Sequence, residues 1–160
     1  YHALEARKQQ LAERSGLTEQ QVQDLLDRYG NNVGVIFGMI TERPELGEPL
    51  PGAPHHLRVE VPFAVQYEGA LHLEDVMRRR TRIENEYRDG GLKAMPEIAA
   101  LMAADLDWDE ETQEREMASY RAAQEAVAAS RVIADEAAAQ RAREGAPPVT
   151  PLVPLGGVNE

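Results

Sequence analysis

The sequence predicts an all-α fold: a compact domain of about five or six helices, with a long C-terminal helix and an extended proline-rich tail. Apolar residues recur at helical spacing along most of the 160 residues. Capping residues precede these apolar stripes and glycines follow them, as at the two ends of a helix. Apolar side chains make up 42% of the chain, enough for a hydrophobic core, and the length suits one domain.

Residues 1–16 are charged and helix-prone, and we interpret them as a leader or a short helix. The helical domain is predicted over residues 17–143. Its first helix begins at a capping box formed by Thr18 and Gln21 and ends at Gly30, since glycine tolerates the left-handed backbone of a helix stop. The apolar residues at helical spacing between these ends are Val22, Leu25, Leu26 and Tyr29.

A second, short helix should be capped by Asn31 or Asn32, and its apolar face consists of Val33, Ile36, Phe37 and Ile40. Residues 41–54 are predicted as a loop because prolines and glycines punctuate them. Residues 57–69 fit both a strand alternation and a helical stripe. We predict a helix there, because Pro62 suits a first helical turn better than a central strand.

Two more helices follow along the chain. Residues 73–87 are predicted as one helix that ends before a pair of glycines, and its apolar side chains are Leu73, Val76, Met77, Ile83 and Tyr87. Pro96 opens the next helix, since proline is well tolerated at the first helical position. The apolar face of that helix consists of Ile98, Leu101, Met102 and Leu106.

The C-terminal part is predicted as a long alanine-rich helix and a tail. A capping box of Asp107 and Glu110 begins the helix, which should reach about Arg143. Its inner face is expected to include Met117, Tyr120 and Val127. Residues 144–160 contain four prolines without helical periodicity. We expect this tail to be ordered only by contact with its own domain or a neighbouring chain.

The charge and residue composition exclude several classes of function. Seventeen basic against 28 acidic residues give a net charge of -11, which disfavours nucleic acid or an anionic membrane as the main partner. The chain has no cysteine, and therefore no disulfide, thiolate metal site or cysteine nucleophile. It has no apolar run long enough for a membrane span and no signal peptide. We therefore expect a cytoplasmic domain, and one that belongs to a longer polypeptide because the chain begins with Tyr1 in a helical pattern.

Two motifs suggest ligand sites but fit structural roles better. Gly30, Gly34 and Gly38 form a GxxxGxxxG series, but a dinucleotide loop needs GxGxxG between a strand and a helix. We interpret these glycines as a helix cap and a close helix contact. His55 and His56 are adjacent, which is not the i, i+4 spacing of a helical metal site, and no third ligand is evident nearby. We interpret them as ordinary surface histidines, and the abundant carboxylates as a solvated acidic surface.

The arginine run in residues 77–82 is the most distinctive feature. Arg80 is in line with the apolar stripe of its predicted helix, so its guanidinium should be inward and should need a carboxylate partner. Glu60 and Glu68 lie on the preceding helix, and we predict that Arg79 or Arg80 contacts one of them. Arg79 can also reach back to Asp75 one turn earlier. These five residues are structural ion-pair candidates.

The order of the motifs resembles a known family. The matching segments are DRYGN at residues 27–31, LGE at residues 46–48, Glu60 with Glu68, LEDVMRRRTR at residues 73–82 and LMAADLDW at residues 101–108. Together they are similar to the C-terminal domain of aerobic, FAD-dependent glycerol-3-phosphate dehydrogenases of bacteria. The resemblance covers about residues 17–127, and His72 departs from it, since a serine or threonine cap is expected there.

This resemblance implies a parent enzyme that oxidises sn-glycerol 3-phosphate to dihydroxyacetone phosphate and passes electrons through FAD to a quinone. The flavin- and substrate-binding residues of the family belong to the preceding, N-terminal region. We therefore assign no catalytic, cofactor-binding or metal-binding residue to this chain, and expect a non-catalytic accessory domain whose partner is that N-terminal body. The parent is expected at the inner face of the plasma membrane. The sequence does not decide whether copies of the domain associate with one another. The alternative is a free-standing helical module for protein–protein interaction.

Overall fold

A computed structural model of the chain describes residues 2–132, 140–141 and 143–145, with side chains from residue 7 to residue 130 and in the two later stretches. The described part is helical apart from one small hairpin, which confirms the all-α prediction. Its helices are α1 (His2–Ser15), α2 (Glu19–Tyr29), α3 (Val33–Glu42), α4 (Glu60–Glu68), α5 (Ile83–Glu86), α6 (Met95–Leu106) and α7 (Glu110–Val132), with a π-helical turn at Asp75–Arg80. No helix in this part of the chain is both long and apolar enough to cross a membrane.

The helix α2 begins and ends as predicted. The Thr18 hydroxyl accepts a hydrogen bond from the backbone N–H of Gln21 at 3.2 Å, and the Gln21 side chain accepts one from the Thr18 N–H at 2.8 Å. Gly30 ends the helix with a φ of +50°. Asn32, one of the two predicted caps, does occupy the N-cap position of α3, but its side chain makes no capping hydrogen bond. A 3-10 turn at Gly30–Asn32 instead leads directly into α3.

The proline-rich stretch after α3 is an ordered connection. A 3-10 turn at Pro44–Gly47 leads to the antiparallel strands β1 (Pro49–Leu50) and β2 (Ala53–Leu57). The ambiguous stretch after it is helix α4, as predicted, although Leu57 closes strand β2. Gly69 ends α4 in the left-handed conformation, with φ at +67°.

The prediction of one continuous helix over residues 73–87 is wrong. The π-helical turn is followed by a break, at which Thr81 N–H and hydroxyl both donate to the Val76 carbonyl, at 3.0 and 2.7 Å. Arg82 then adopts a left-handed backbone with φ at +60°, and α5 begins only at Ile83. A π turn holds more residues per turn than an α-helix, so side chains after it leave the face that an α-helical period assigns to them.

The start of α7 also differs from the prediction. Asp107 is not a cap of α7, because it ends α6 with φ at +52°. The cap is Asp109, whose carboxylate accepts the N–H of Thr112 at 2.8 Å. Pro96 does lie in the first turn of α6, as predicted. The tail from residue 146, and most of the stretch between Val132 and Arg143, lie outside the described residues.

Two hydrophobic clusters form the core, and α4 contributes to both. The first is built from α1, α2, α3 and the segment around Leu57, and it includes Phe63 of α4. The second is built from the hairpin, the π-helical turn, α5, α6 and α7, and it includes Val61 and Ala64 of α4. The N-terminal end of α4 therefore lies where the two halves of the domain meet.

Candidate functional site

The candidate site is a network of buried polar groups at the N-terminal end of α4, centred on Glu60. The Glu60 side chain is completely buried and accepts hydrogen bonds from three directions. Its Oε1 accepts from the backbone N–H of Leu57 at 2.8 Å and from Arg28 Nη2 at 3.1 Å. Its Oε2 accepts from the hydroxyl of Tyr29 at 2.8 Å. The carboxylate thus joins strand β2 and helices α2 and α4.

The local sequence explains how these groups meet. Arg28 and Tyr29 lie in the last turn of α2, where a cation interacts favourably with the negative end of the helix dipole. Glu60 is the first residue of α4, where a carboxylate interacts favourably with the positive end. Arg28 also donates to the carbonyl of His55 at 2.7 Å, and the ring of Tyr29 packs edge-on against Phe63 at 5.2 Å. The two helix ends are therefore held together by both charge and aromatic packing.

Burial controls the electrostatics of this network. It raises the pKa of Glu60 to about 7, against the opposing effects of the Arg28 charge, the Leu57 N–H and the Tyr29 hydroxyl. Burial also raises the pKa of Tyr29 above its usual value, with the negative charge of Glu60 as the next cause. Tyr29 therefore remains a neutral donor, while Glu60 changes its protonation state near neutral pH.

His56 lies beside this network and belongs to the second half of the domain. The prediction that it is a surface histidine is wrong, because its side chain is completely buried. Burial lowers its pKa to about 4, with the nearby charge of Arg28 as the next cause, so the ring is neutral at pH 7. Its Nε2 lies 3.1 Å from the Thr81 carbonyl, which can only accept, so we place the ring proton on Nε2. Although Glu86 lies 3.5 Å away, a neutral ring makes no salt bridge with it.

Two of the predicted contacts are present in the structure, namely Arg79 with Asp75 and Arg80 with Glu68, although the latter goes to a backbone carbonyl. The predicted pairing of Glu60 is wrong. Glu60 is paired with Arg28 and not with Arg79 or Arg80. Arg79 reaches back to Asp75 at 2.6 Å, and Arg80 donates to the backbone carbonyl of Glu68 at 2.8 Å. Arg80 is exposed, which corrects the inward position predicted for it. The reason is the π-helical turn, which moves Arg80 off the apolar face.

Sequence reasoning missed Arg28, Tyr29 and His56 as members of the network. Arg28 lies 32 positions before Glu60, and no spacing rule relates residues that far apart. One signal was present: Arg28 and Tyr29 belong to the same motif as the helix stop at Gly30. That motif was interpreted as the end of a helix and as part of the family resemblance, and no contact with Glu60 was predicted from it.

The glycines of the domain do not form a cradle for a nucleotide. A Cβ at Gly52 would lie 2.4 Å from Lys93 Cβ, and one at Gly91 would lie 2.5 Å from Ile83 Cγ2, so the domain's own side chains fill the space beside them. At Gly34 and Gly38 a Cβ would meet nothing within 4 Å, which corrects the predicted close helix contact. The connection from β2 to α4 contains no glycine, and the sequence has no GxGxxG series. These residues therefore do not fit the phosphates of FAD.

The chemistry available to the network is structural. The polar atoms of Glu60 are satisfied by Arg28, Tyr29 and Leu57, and both ring nitrogens of His56 face groups of the same domain. No described group of three His, Asp or Glu residues is arranged to hold a metal ion. The network is suited to fixing the two halves of the domain in one arrangement.

Comparison with known proteins shows that the chain is similar to one part of longer proteins. A family model described as the C-terminal domain of alpha-glycerophosphate oxidase matches residues 2–113. The chain is 40% identical over 147 residues to a glycerol-3-phosphate dehydrogenase of Mycobacterium leprae and 37% identical to glycerol-3-phosphate dehydrogenase 2 of Mycobacterium tuberculosis. Each alignment covers 92% of this chain and 25% of the relative. A glycerol-3-phosphate dehydrogenase of Synechocystis is 32% identical over 65% of the chain and 19% of its own length.

The chain therefore spans about a quarter of the length of the mycobacterial relatives it matches. No solved structure matches it.

Proposed function

The chain belongs to the family of C-terminal domains of alpha-glycerophosphate oxidase, and we propose that it is the non-catalytic accessory domain of a glycerol-3-phosphate dehydrogenase. One observation carries this proposal. The alignment takes in 92% of this chain but only 25% of the dehydrogenase from Mycobacterium leprae. A match over nearly the whole of this chain but only a quarter of the relative supports the proposal that the chain is one domain of a similar, longer enzyme.

The parent enzyme in this proposal oxidises sn-glycerol 3-phosphate to dihydroxyacetone phosphate, with FAD as its cofactor and a quinone as the electron acceptor. The substrate and the flavin are held by the N-terminal body, which precedes this domain in the family. The parent works in the cytoplasm at the inner face of the plasma membrane. We also propose that copies of the domain contact one another in the parent enzyme.

The geometry supports a role in which the domain packs on that body and supplies no reacting group. A catalytic acid or base must reach a substrate proton at hydrogen-bond distance. The pKa of Glu60 is raised to about 7, and the pKa of His56 is lowered to about 4. Both side chains are completely buried and already bonded within the domain. Their positions suit a rigid scaffold better than an open reaction centre.

The test compares the isolated chain with the full-length polypeptide that contains it. Each is incubated with FAD and passed through a gel-filtration column, and its absorbance spectrum and glycerol 3-phosphate oxidation are then measured with a quinone analogue. The full-length enzyme is expected to retain flavin and to oxidise the substrate, and the isolated chain to do neither. Stoichiometric flavin on the isolated chain would refute a non-catalytic role. Failure of the full-length polypeptide to oxidise glycerol 3-phosphate would refute the parent activity.

A further inference from the structure

An exposed patch lies at the C-terminal end of α4, at the opposite end of that helix from Glu60. It is formed by Tyr67, Leu71, Arg79 and Arg80, and we call it the α4 patch. Hydrogen bonds establish that these residues are neighbours. Arg80 donates to the carbonyl of Glu68, next to Tyr67, while Asp75 accepts both the Leu71 N–H at 3.1 Å and the guanidinium of Arg79 at 2.6 Å.

The π-helical turn creates the patch. On a regular α-helix Arg80 would have shared a face with Val76 and Met77, both of which are completely buried. The wider turn brings Arg79 and Arg80 to the surface instead. The turn is held in place by the two hydrogen bonds from Thr81 to the Val76 carbonyl. Turns of this kind are rare within helices and occur often at functional sites.

The patch exposes side chains that are well suited to a protein interface. Tyr67 is 58% exposed and Leu71 is 41% exposed, and both are among the few large apolar side chains of the described residues that face solvent. The side chain of Arg79 is 58% exposed. Tyrosine and arginine are enriched at the energetic centres of interfaces.

The patch is also preorganised. The ring of Tyr67 stacks on that of Phe63, with a centroid distance of 5.2 Å and an angle of 16°. Among the described residues, Arg79 and Arg80 are each oriented by one hydrogen-bond contact, which leaves most of the N–H donors of each guanidinium for a partner. Side chains that are already held in place lose little conformational entropy when a partner binds.

We propose that the α4 patch is the docking surface for the N-terminal body of the same polypeptide, which presents to it an apolar contact flanked by carboxylates. The inference rests on the proposed function. The occupant follows from the relatives: about three quarters of their length lies outside the matched part, and in a C-terminal domain that remainder is covalently attached. Attachment raises the effective concentration of the body to the millimolar range, so a small mixed apolar and charged patch suffices.

Charge complementarity defines the chemistry of the partner. The chain as a whole has a net charge of -11, whereas the patch exposes two guanidinium groups with unused donors. Arginine binds carboxylates through two parallel hydrogen bonds, a geometry that an opposing Asp or Glu can complete.

The experiment uses the full-length enzyme and hydroxyl-radical footprinting, which measures the rate at which exposed side chains are modified. The enzyme is compared with the double variant Arg79→Glu/Arg80→Glu. The matched control is Arg115→Glu/Arg121→Glu, which makes the same charge change at two exposed positions of α7. We expect Tyr67 to be modified slowly in the unaltered enzyme and in the control, and about tenfold faster in the patch variant.

A second variant keeps the test decisive if the charge reversal disturbs folding. Leu71→Asp changes an exposed side chain and should also speed the modification of Tyr67, while circular dichroism remains unchanged. Fast modification of Tyr67 in the unaltered enzyme would overturn the inference. Protection that depends on enzyme concentration would also overturn it, because a second copy would then be the occupant.

Failure of this inference can be distinguished from failure of the proposed function. A second candidate surface is the groove of about 300 Å³ between α1 and α3, which is lined in part by the partly exposed side chains of Leu11 and Phe37. Protection of Phe37 with Tyr67 left reactive would mean that the domain docks on the body through this other face. The accessory-domain proposal would survive that result. If neither side chain were protected, the docking inference would fail. Failure of the full-length enzyme to oxidise glycerol 3-phosphate would instead refute the proposed function.

Discussion

Removing the charged partner of a buried carboxylate should cost stability in a manner that depends on pH. In Arg28→Met the Glu60 carboxylate keeps its bonds to Leu57 and Tyr29 but loses its only cationic partner among the described residues. The change in the pKa of Glu60 from 4.5 to about 7 corresponds to about 3 kcal/mol. Even with Arg28 present, an ionised Glu60 is therefore less favourable in the folded domain than in the unfolded chain.

The direction of the pH effect follows from that pKa. Because the folded value is the higher one, the contribution of Glu60 to stability is complete below pH 4.5 and is lost as the pH rises through about 7. Arg28→Met should raise the folded pKa further, since it removes a positive charge. At pH 8.5 the free energy of unfolding of the variant should be about 3 kcal/mol lower than that of the unaltered domain. This is near the lower end of the cost of breaking a buried ion pair, because the Arg28 side chain is 24% exposed. At pH 4.5, where Glu60 is protonated, only about 1 kcal/mol for the lost hydrogen bond to His55 should remain.

Urea unfolding followed by circular dichroism at the two pH values measures these free energies. Arg43→Met is the matched control, because its pair with Glu45 is largely exposed, is screened by solvent and should contribute little to stability at either pH. The double variant Arg28→Met/Glu60→Gln should recover most of the loss at pH 8.5. Equal losses for Arg28→Met at both pH values would show that Arg28 does not compensate a buried charge, and the electrostatic account of the network would be wrong.

Three further variants test individual elements by thermal or urea unfolding. Gly91→Ala should destabilise the domain by about 2 kcal/mol or more, since φ is +78° and the added Cβ would lie 2.5 Å from Ile83 Cγ2. The control Gly34→Ala changes a helical glycine beside open space and should stabilise the domain by about 0.5–1 kcal/mol. Equal effects of the two variants would contradict the packing at Gly91. Thr18→Ala should cost about 1 kcal/mol by removing the cap of α2, and an unchanged midpoint would mean that this cap contributes nothing. Tyr120→Phe should cost about 1–3 kcal/mol because the Gly90 carbonyl loses its buried donor, and a neutral result would indicate that another group satisfies that carbonyl.

Local signals in the sequence were sufficient for most helix positions. The cap of α2 was predicted correctly because Thr18 and Gln21 interact across three positions of chain. The helix α4 was predicted correctly because proline is tolerated in the first turn of a helix, and Pro62 lies in that turn. The start of α7 was misplaced by two residues, because both Asp107 and Asp109 are chemically able to cap a helix. Asp107 lies where the chain turns from α6 to α7, and its left-handed backbone there ends α6. Spacing along the sequence does not show this turn.

The network and the α4 patch depend on information that spacing does not contain. The partner of Glu60 lies on another helix, and the choice of Arg28 over Arg80 is decided by which helix ends meet. The π-helical turn changes the faces of the side chains at its own C-terminal end, although its residues have ordinary helix propensities. A helical period of 3.6 residues therefore placed Arg80 inside the domain, where the structure has it outside.

The two ends of α4 explain why a costly buried carboxylate is compatible with this domain. An apolar replacement of a buried ion pair is often neutral or stabilising, so stability alone does not account for Glu60. Its bonds to Leu57, Arg28 and Tyr29 can all form in only one relative arrangement of β2, α2 and α4. That arrangement also fixes where the other end of α4 presents Tyr67. We infer that Glu60 contributes orientation, because a preorganised docking surface requires α4 to be held in one position.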